Sequence, residues 1–261
     1  MSLLTLVRHA QASFFADHYD QLSALGEAQA QRLGAYWCQN KRIVDEVYVG
    51  PRRRQQQTAA LVAATYQQAG LPFPEPIQLA ELDEYDLAGI LHQLTPQLVQ
   101  QSSQFASLAQ SWKSGDTDRD RERNFQRMFE PLMLHWQSND LVIEGLESWL
   151  KFRERVQRGL RYVMERPGRS RRVVAFTSGG FIGTVMQLVL AAPARMALET
   201  SWRIRNGAVS EFVFSDERMT LDTFNCVAHL PEPELITYRY MAHSGSSGGV
   251  EADEFRSPLP Q

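Results

Sequence analysis

Short apolar runs alternate with longer amphipathic stretches along much of this chain. The run "LLTLV" (residues 3–7) predicts a buried strand, and "LSALGEAQAQRLGAYWCQ" after it has helical spacing, with Ser23 as the N-cap. A second strand is predicted over residues 43–49, before a helix that carries "RQQQTAALVAATYQQ". A third is predicted over residues 172–176, before a helix from about Gly180. This alternation predicts an α/β fold, a three-layer α/β/α sandwich with a mostly parallel sheet.

Three further segments differ from this alternation. "GAVSEFVF" and "RMTLDTFN" each alternate apolar and polar residues and predict a late hairpin that completes the sheet. Residues 87–145 are glutamine-rich and charged, lack strand signals, and predict a helical cap inserted beside the sheet and covering the pocket. Residues 241–261 are rich in Gly, Ser, Pro and acid and predict a flexible tail. We therefore expect one domain over residues 1–240.

Composition narrows the class of protein. With 261 residues, of which 43% are hydrophobic and 22% charged, the chain is expected to bury a full core. A net charge of −3 argues against binding to nucleic acid or to a membrane surface, so an anion site must be local. Cys38 and Cys226 are too few for a disulfide framework, and the chain shows neither a signal sequence nor a membrane-spanning run. A cytoplasmic location is the expectation.

Polar groups that suit an anion follow three of the predicted strands. In open α/β sheets, ligands bind beyond the carboxyl ends of the strands, where helix N-termini offer unpaired amides and a positive dipole. Convergence of the three groups there would create a phosphate pocket. The three groups are Arg8 and His9 in "LVRHAQAS", Arg52, Arg53 and Arg54 in "YVGPRRRQQQTA", and Ser178, Gly179 and Gly180 in "TSGG".

In these segments the chain resembles the histidine phosphatase superfamily, which includes the cofactor-dependent phosphoglycerate mutases. "LVRHA" is similar to the opening Arg-His-Gly motif, with Ala10 where glycine is commoner. "RRRQQQTA" resembles the Arg-Ala-x-Gln-Thr-Ala motif, which places the family arginine at Arg54, four residues before Thr58. "ELDEYD" resembles the Leu-x-Glu stretch that supplies the family's acid, here Glu84.

Two more motifs continue the resemblance in the family's order. "GLESWLKFRERV" resembles the Gly-Glu-Ser motif that opens a helix after the insertion, with Glu147 and Ser148 in those places. "VVAFTSGGFIG" aligns with the strand that ends in Ser-His-Gly-Gly, but here Ser178 stands where the family has its second histidine.

The resemblance implies a metal-independent phosphomonoester hydrolase without a cofactor, acting on a small phosphorylated substrate. His9 would attack phosphorus and carry the phosphoryl group. Arg8 and Arg54 would hold the phosphoryl oxygens, with Ser178 and Gly179 as further phosphate ligands. Glu84 would protonate the leaving oxygen.

The chemistry of these residue types agrees with the implied roles. Planar guanidinium groups match phosphoryl oxygens bidentately, so two arginines form a sensible minimum clamp. His9 must present an unprotonated nitrogen, and we expect a nearby backbone carbonyl to hold the proton on the other one. A carboxyl group beside bound phosphate is kept protonated by that negative charge, which suits Glu84, with Asp83 and Asp86 as fallback candidates.

The serine at position 178 leaves open whether the chain is an active hydrolase. Loss of one preorganised donor costs roughly 2.7–4 kcal/mol, so the enzyme would be slow without being inactive. Ser178→His would recover a donor provided that the larger ring fits. One alternative is a catalytically silent module that binds phosphate or phosphorylated proteins. Another is a phosphotransferase of the phosphoglycerate mutase type, although the sequence contains no residue set that demands it.

Other enzyme classes fit the sequence less well. Neither cysteine begins the Cys-x5-Arg loop of thiol phosphatases, and no Walker loop is present. "DTDRDR" has carboxylates at alternate positions like a calcium loop, but Arg121 stands at the glycine position and Arg127 at the closing glutamate position, so we expect an exposed helix start and no metal. A serine hydrolase would pair Ser178 with a base such as His229, which leaves Arg8 and Arg54 unexplained.

Overall fold

The computed structural model describes residues 1–12, 20–138, 143–215 and 218–238. The strands in chain order are β1 (Ser2–Arg8), β2 (Glu46–Val49), β3 (Ile77–Gln78), β4 (Arg172–Thr177), β5 (Val209–Phe214) and β6 (Met219–Cys226). The helices are α1 (Ala24–Gln39), α2 (Arg53–Gln68), α3 (Leu87–Gln101), α4 (Ser103–Lys113), α5 (Asp118–Ser138), α6 (Trp149–Met164), α7 (Gly179–Val189) and α8 (Arg195–Arg203). Short 3-10 turns lie at Ala80–Leu82 and Pro233–Leu235.

The strands form one six-stranded sheet in the order β3-β2-β4-β1-β5-β6. β3, β2, β4 and β1 are parallel neighbours, whereas β5 and β6 are antiparallel. The predicted α/β class, the mostly parallel sheet and the late hairpin are therefore confirmed. This arrangement follows from the chain order, because parallel strands need helical crossovers while the last two strands are joined directly.

Apolar side chains cover both faces of the sheet. Val7 of β1 and Val174 of β4 pack on one face with Leu33 of α1 and Val62 of α2. The alternate strand residues pack on the other face, where the second core includes Leu4, Leu6, Val173, Phe152 of α6 and Phe181 of α7. Successive strand side chains point to opposite faces, so an almost continuously apolar strand indicates helices on both sides. The structure has the predicted three layers.

The insertion is helical, as predicted. α3, α4 and α5 contribute their apolar faces to the second core through Ile90, Leu94, Phe105, Phe129 and Trp136. Asp86 caps α3 by accepting the N–H of Gly89 at 3.0 Å. The predicted tail at residues 241–261 lies outside the described residues.

Some element boundaries differ from the sequence-based expectation. β2 begins at Glu46 and not at residue 43, because Ile43 is 56% exposed and the pairing of β2 with β4 starts at Glu46. Asp45 instead closes the end of the ladder, donating its N–H to the Arg172 carbonyl at 2.9 Å. β3 and α8 were not predicted. Every helix in the described part of the chain is too short or too polar to cross a membrane.

Candidate active site

The register of the parallel strands brings the predicted polar groups to one edge of the sheet. Arg8 at the end of β1 is level with Thr177 of β4, and Val49 at the end of β2 is level with Phe176. The chain therefore leaves all three strands at the same edge. His9, the start of α2 and the start of α7 meet there, as we expected from the sequence.

The imidazole ring of His9 has a defined partner on each nitrogen. Nδ1 lies 2.8 Å from the carbonyl oxygen of Ala10, and Nε2 accepts the Nε–H of Arg54 at 3.1 Å. A carbonyl oxygen only accepts and a guanidinium N–H only donates, so the proton is on Nδ1 and the lone pair on Nε2. These two contacts are those of an imidazole with its proton on Nδ1 and its lone pair facing Arg54.

The backbone around His9 is also tied down. Its N–H donates to the Thr177 carbonyl at 2.8 Å, and its own carbonyl accepts from the N–H of Gly207 at 3.3 Å. Thr58 accepts the Ala10 N–H at 3.1 Å and donates to the Arg54 carbonyl at 2.7 Å. Thr58 thus connects the His9 segment to the first turn of α2. From the sequence, Thr58 only marks the alignment of the motif, and no contact is predicted for it.

The two predicted clamp arginines are buried at this edge. Arg54 donates from Nη1 to Asp20 Oδ1 at 2.8 Å, and Asp20 also accepts the Arg53 N–H at 2.9 Å. Arg8 donates from Nη1 to the Ile204 carbonyl, and a Cβ placed on Gly179 would lie 3.6 Å from Arg8 Nε. The start of α7 therefore lies against the Arg8 guanidinium.

The neighbouring arginines have other surroundings. Arg52 pairs with Asp83, with Nε 2.5 Å from Oδ1, and Arg53 is exposed. Arg54, which the motif alignment placed at the family arginine, is thus the arginine of the "RRR" run that contacts His9. Asp20 was not anticipated, because nothing in the sequence marks it as a partner of a residue 34 positions later.

Glu84 lies at the N-terminus of α7. Its Oε2 accepts the Gly180 N–H at 3.1 Å, and its Oε1 accepts the Tyr85 N–H at 3.2 Å. A Cβ on Gly180 would overlap Glu84 Oε1, so the absence of a side chain there is what lets the carboxylate approach the helix. Asp83 is paired with Arg52 and Asp86 caps α3, so both fallback acids already have structural roles.

Arg155 of α6 supports the segment that carries Glu84. It donates to the carbonyls of Glu81 at 3.2 Å and Asp83 at 2.8 Å. Its guanidinium also forms a bidentate pair with Glu147, at 2.8 and 2.7 Å. Ser148 caps α6 by accepting the Lys151 N–H at 3.4 Å. The Gly-Glu-Ser segment is therefore a structural support for the acid loop. No role was predicted for Arg155, because the carbonyls that it supports lie more than 70 positions earlier in the chain.

Ser178 occupies the N-cap position of α7 but does not cap the helix with its side chain. It is fully buried, and its Oγ accepts the Nε2–H of Gln55 at 2.8 Å. An amide nitrogen has no basic lone pair, so this partner is unsuited to activate a serine nucleophile. Gln55 was not singled out from the sequence, where it is one of three consecutive glutamines.

A model of the histidine phosphatase superfamily (branch 1) matches residues 4–227 of the chain. The chain belongs to this superfamily. The matched span runs from β1 to beyond β6 and includes His9, Arg54, Glu84 and Ser178. A comparison with curated proteins found no significant match.

Solved structures of proteins with this histidine phosphatase fold are similar at low sequence identity. Phosphoglycerate mutase from Bacillus anthracis has a TM-score of 0.60 at 17% identity, covering 88% of this chain and 95% of that one. Mycobacterial glucosyl-3-phosphoglycerate phosphatase, in complex with inorganic phosphate, has a TM-score of 0.57 at 20% identity, covering 88% and 99%. Alpha-ribazole phosphatase from Shigella flexneri has a TM-score of 0.57 at 19% identity, covering 87% and 97%. At these identities the likeness establishes the fold alone.

His229 lies next to Gly207, whose N–H donates to the His9 carbonyl. It is buried, and its Nε2 lies 3.6 Å from where a Cβ on Gly207 would be. Burial lowers the pKa of His229 to about 4, so the ring is neutral near neutral pH. No group of three or more His, Cys, Asp or Glu side chains in the described residues is placed to hold a metal ion.

Proposed function

We propose that this chain is a metal-independent phosphomonoester hydrolase that forms a phosphohistidine on His9. The observation that carries the proposal is the pair of contacts on the His9 ring, because the Ala10 carbonyl and the Arg54 N–H together leave the lone pair on Nε2. A neutral imidazole with that lone pair beside a buried arginine is suited to attack a phosphoryl group.

In the first step, a phosphoryl oxygen of the substrate accepts the Nε–H of Arg54, which frees the His9 lone pair. Nε2 then bonds to phosphorus while the bond from phosphorus to the leaving oxygen breaks. The leaving oxygen takes its proton from the protonated carboxyl group of Glu84. Arg8 and Arg54 stabilise the charge on the equatorial oxygens, and the amides at the start of α7 favour the anion.

In the second step, water attacks the phosphorus of the phosphohistidine. The Glu84 carboxylate takes a proton from that water, and the bond between phosphorus and Nε2 breaks, which releases phosphate and restores neutral His9. Glu84 thus serves as the acid in one step and as the base in the next.

Trapping the intermediate tests this function. The chain is mixed with p-nitrophenyl phosphate, quenched in denaturant at alkaline pH and analysed by mass spectrometry, because phosphohistidine is lost in acid. We expect acid-labile phosphate on His9, and no release of phosphate by a His9→Gln variant. The exposed His92 provides a matched control, and His92→Gln should turn over like the parent.

Three results would contradict the proposal. Acid-stable phosphate on Ser178 would indicate a serine nucleophile. Phosphate binding without an intermediate or turnover would indicate a phosphate-binding module. Transfer of the phosphoryl group to a second hydroxyl of a phosphorylated acid, in place of release to water, would indicate a phosphotransferase.

A further inference from the structure

Two positions at which the chain departs from the resembled motifs contact each other. Arg54 opens the segment that resembles Arg-Ala-x-Gln-Thr-Ala, so Gln55 stands at the alanine position, and Ser178 stands at the position of the second histidine. Both side chains are fully buried, and they are hydrogen bonded to each other at 2.8 Å. We propose that Gln55 is a positioning residue that orients the Ser178 hydroxyl to donate its proton to a phosphoryl oxygen.

The orientation of the Gln55 amide is fixed by its neighbours. Its Oε1 accepts the backbone N–H of Arg52 at 3.0 Å, and a backbone N–H only donates, so the oxygen is on that side and Nε2 is on the other. Gly50 lies directly against Oε1, and a Cβ on Gly50 would overlap that oxygen. The amide is therefore held against the end of β2 in a single orientation.

Both protons of the Gln55 amide nitrogen have acceptors. Nε2 donates to the Leu82 carbonyl at 3.3 Å and to Ser178 Oγ at 2.8 Å. Because an amide nitrogen does not accept, Ser178 must be the acceptor in this pair. The hydroxyl proton of Ser178 therefore points away from Gln55.

That proton has no acceptor among the described residues. Ser178 is fully buried and directly precedes α7. The next residue, Gly179, lies against the Arg8 guanidinium. Buried hydroxyl donors are normally paired, so the Ser178 hydroxyl is suited to donate to an acceptor that a ligand supplies. This inference rests on the proposed function, in which the acceptor is an oxygen of the bound phosphoryl group.

Gln55 also occupies the space next to Ser178. With Gln55 Nε2 at 2.8 Å from Ser178 Oγ, an imidazole placed in the direction of the present hydroxyl would overlap the amide. We therefore expect the larger ring of Ser178→His to fit only when Gln55 is also shortened. Restoring the pattern of the motifs requires both changes, Gln55→Ala and Ser178→His.

A double-mutant cycle tests the coupling between the two residues. Gln55→Ala, Ser178→Ala and the double variant are compared by the affinity for inorganic phosphate and by kcat and KM for p-nitrophenyl phosphate. We expect Gln55→Ala to weaken phosphate binding and kcat by about tenfold in the parent, which corresponds to one hydrogen bond, and to have a much smaller effect when Ser178 is already alanine. Gln56→Ala is the control, because the Gln56 side chain bonds only to the Pro51 carbonyl and the Gln78 side chain among the described residues.

Gln55→Glu guards against a simple folding defect. It preserves the shape but offers an acceptor to Ser178, so the hydroxyl turns toward position 55 and phosphate binding should fall further than in Gln55→Ala. Gln55→Ala/Ser178→His should exceed Ser178→His in kcat.

Equal effects of Gln55→Ala in both backgrounds, or full phosphate affinity in Gln55→Glu, would overturn the inference. Phosphate affinity reports the coupling even if the parent shows no turnover, so failure of the proposed function is distinguished.

Discussion

Glu84 is held by one backbone donor on each carboxylate oxygen. The Gly180 and Tyr85 N–H groups fix the carboxylate in one orientation at the start of α7. In the proposed reaction the same carboxyl group protonates the leaving oxygen. Its contribution should therefore depend on how much the leaving group needs a proton.

We predict that Glu84→Gln separates substrates by their leaving group. The amide keeps the size of the side chain but supplies no proton, so kcat for an alkyl phosphate such as glycerol phosphate should fall by about 10² to 10⁴-fold. The first-turnover burst of p-nitrophenol should persist, because p-nitrophenolate leaves without a proton. Stopped-flow absorbance measures the burst of p-nitrophenol, and steady-state phosphate release measures kcat for the alkyl phosphate. Asp86→Asn is the control, and a p-nitrophenol burst slowed as much as kcat for the alkyl phosphate would contradict the assignment.

Arg54 contacts both His9 and Asp20. Its Nε donates to His9 and its Nη1 donates to Asp20, so one side of the guanidinium is already paired with a carboxylate. In the proposed mechanism a phosphoryl oxygen replaces the nucleophile as the partner of Nε. Asp20 then keeps the guanidinium in place while that exchange occurs.

Three helices converge on the loop that carries Glu84. α7 provides the Gly180 amide, α2 is joined through the pair of its N-cap residue Arg52 with Asp83, and α6 provides Arg155. Tyr85 packs its ring 5.3 Å from Trp136 of α5 and 5.6 Å from Phe152 of α6, measured between centroids. The helical insertion therefore contributes to the placement of the acid, even though it follows Glu84 in the chain.

We predict that Arg155→Ala affects proton transfer more than anion binding. The loss leaves the carbonyls of Glu81 and Asp83 without this donor, which should cost about 1–3 kcal/mol of unfolding free energy and loosen the acid loop. We expect a lower kcat for an alkyl phosphate with near-parental affinity for inorganic phosphate, measured by calorimetry. Arg158→Ala, exposed on the same helix, should change neither. A parallel loss of phosphate affinity would show that Arg155 supports the anion site itself.

The last described residues of the chain close the back of the molecule behind His9. Gln29 of α1 donates to the Leu235 carbonyl at 2.7 Å and to Thr237 Oγ1 at 3.0 Å. Thr237 in turn donates to Asn206 Oδ1 at 3.1 Å, and Asn206 reaches the His9 carbonyl at 3.5 Å. His229 is buried in the same region, so its charge state bears on the stability of the whole fold.

We predict that acid destabilises the fold through His229. Its pKa is lowered from 6.5 to about 4 by burial, so between these values the unfolded chain binds more protons and unfolding becomes easier as pH falls. From about pH 7 to about pH 4.5 the parent should lose up to about 3 kcal/mol more than His229→Phe. Urea unfolding at each pH measures the difference. His92→Phe should retain the parental pH dependence, and a parental dependence in His229→Phe would refute the prediction.

Local signals in the sequence determined most of the secondary structure. Ser23 caps α1 by accepting the Gly26 N–H at 3.1 Å, and the apolar runs before α1, α2 and α7 are the central parallel strands. Apolar periodicity and helix caps depend on residues close in sequence, so they can be predicted from the sequence alone. β3 has two residues and forms only through pairing with β2, so it carried no such signal.

The order of strands and helices also determined where the candidate site lies, because the carboxyl ends of parallel strands meet at one edge of a sheet. That rule brought Arg8, His9 and Ser178 to the same place from separate parts of the sequence. It gave no information on which of three consecutive arginines, or of three consecutive glutamines, would face the site. The phase of α2 against the sheet decided that Arg54 and Gln55 are buried there.

The pairings within the site were decided only by the tertiary structure. Gln55 and Ser178 are 123 positions apart, Gly180 and Glu84 are 96 apart, and Arg155 reaches carbonyls more than 70 positions earlier. Hydrogen bonds need their atoms within a few tenths of an ångström of an ideal distance and in the right direction. Strand register, helix phase and the close approach allowed by Gly50 and Gly180 together set those positions, and no short stretch of sequence contains them.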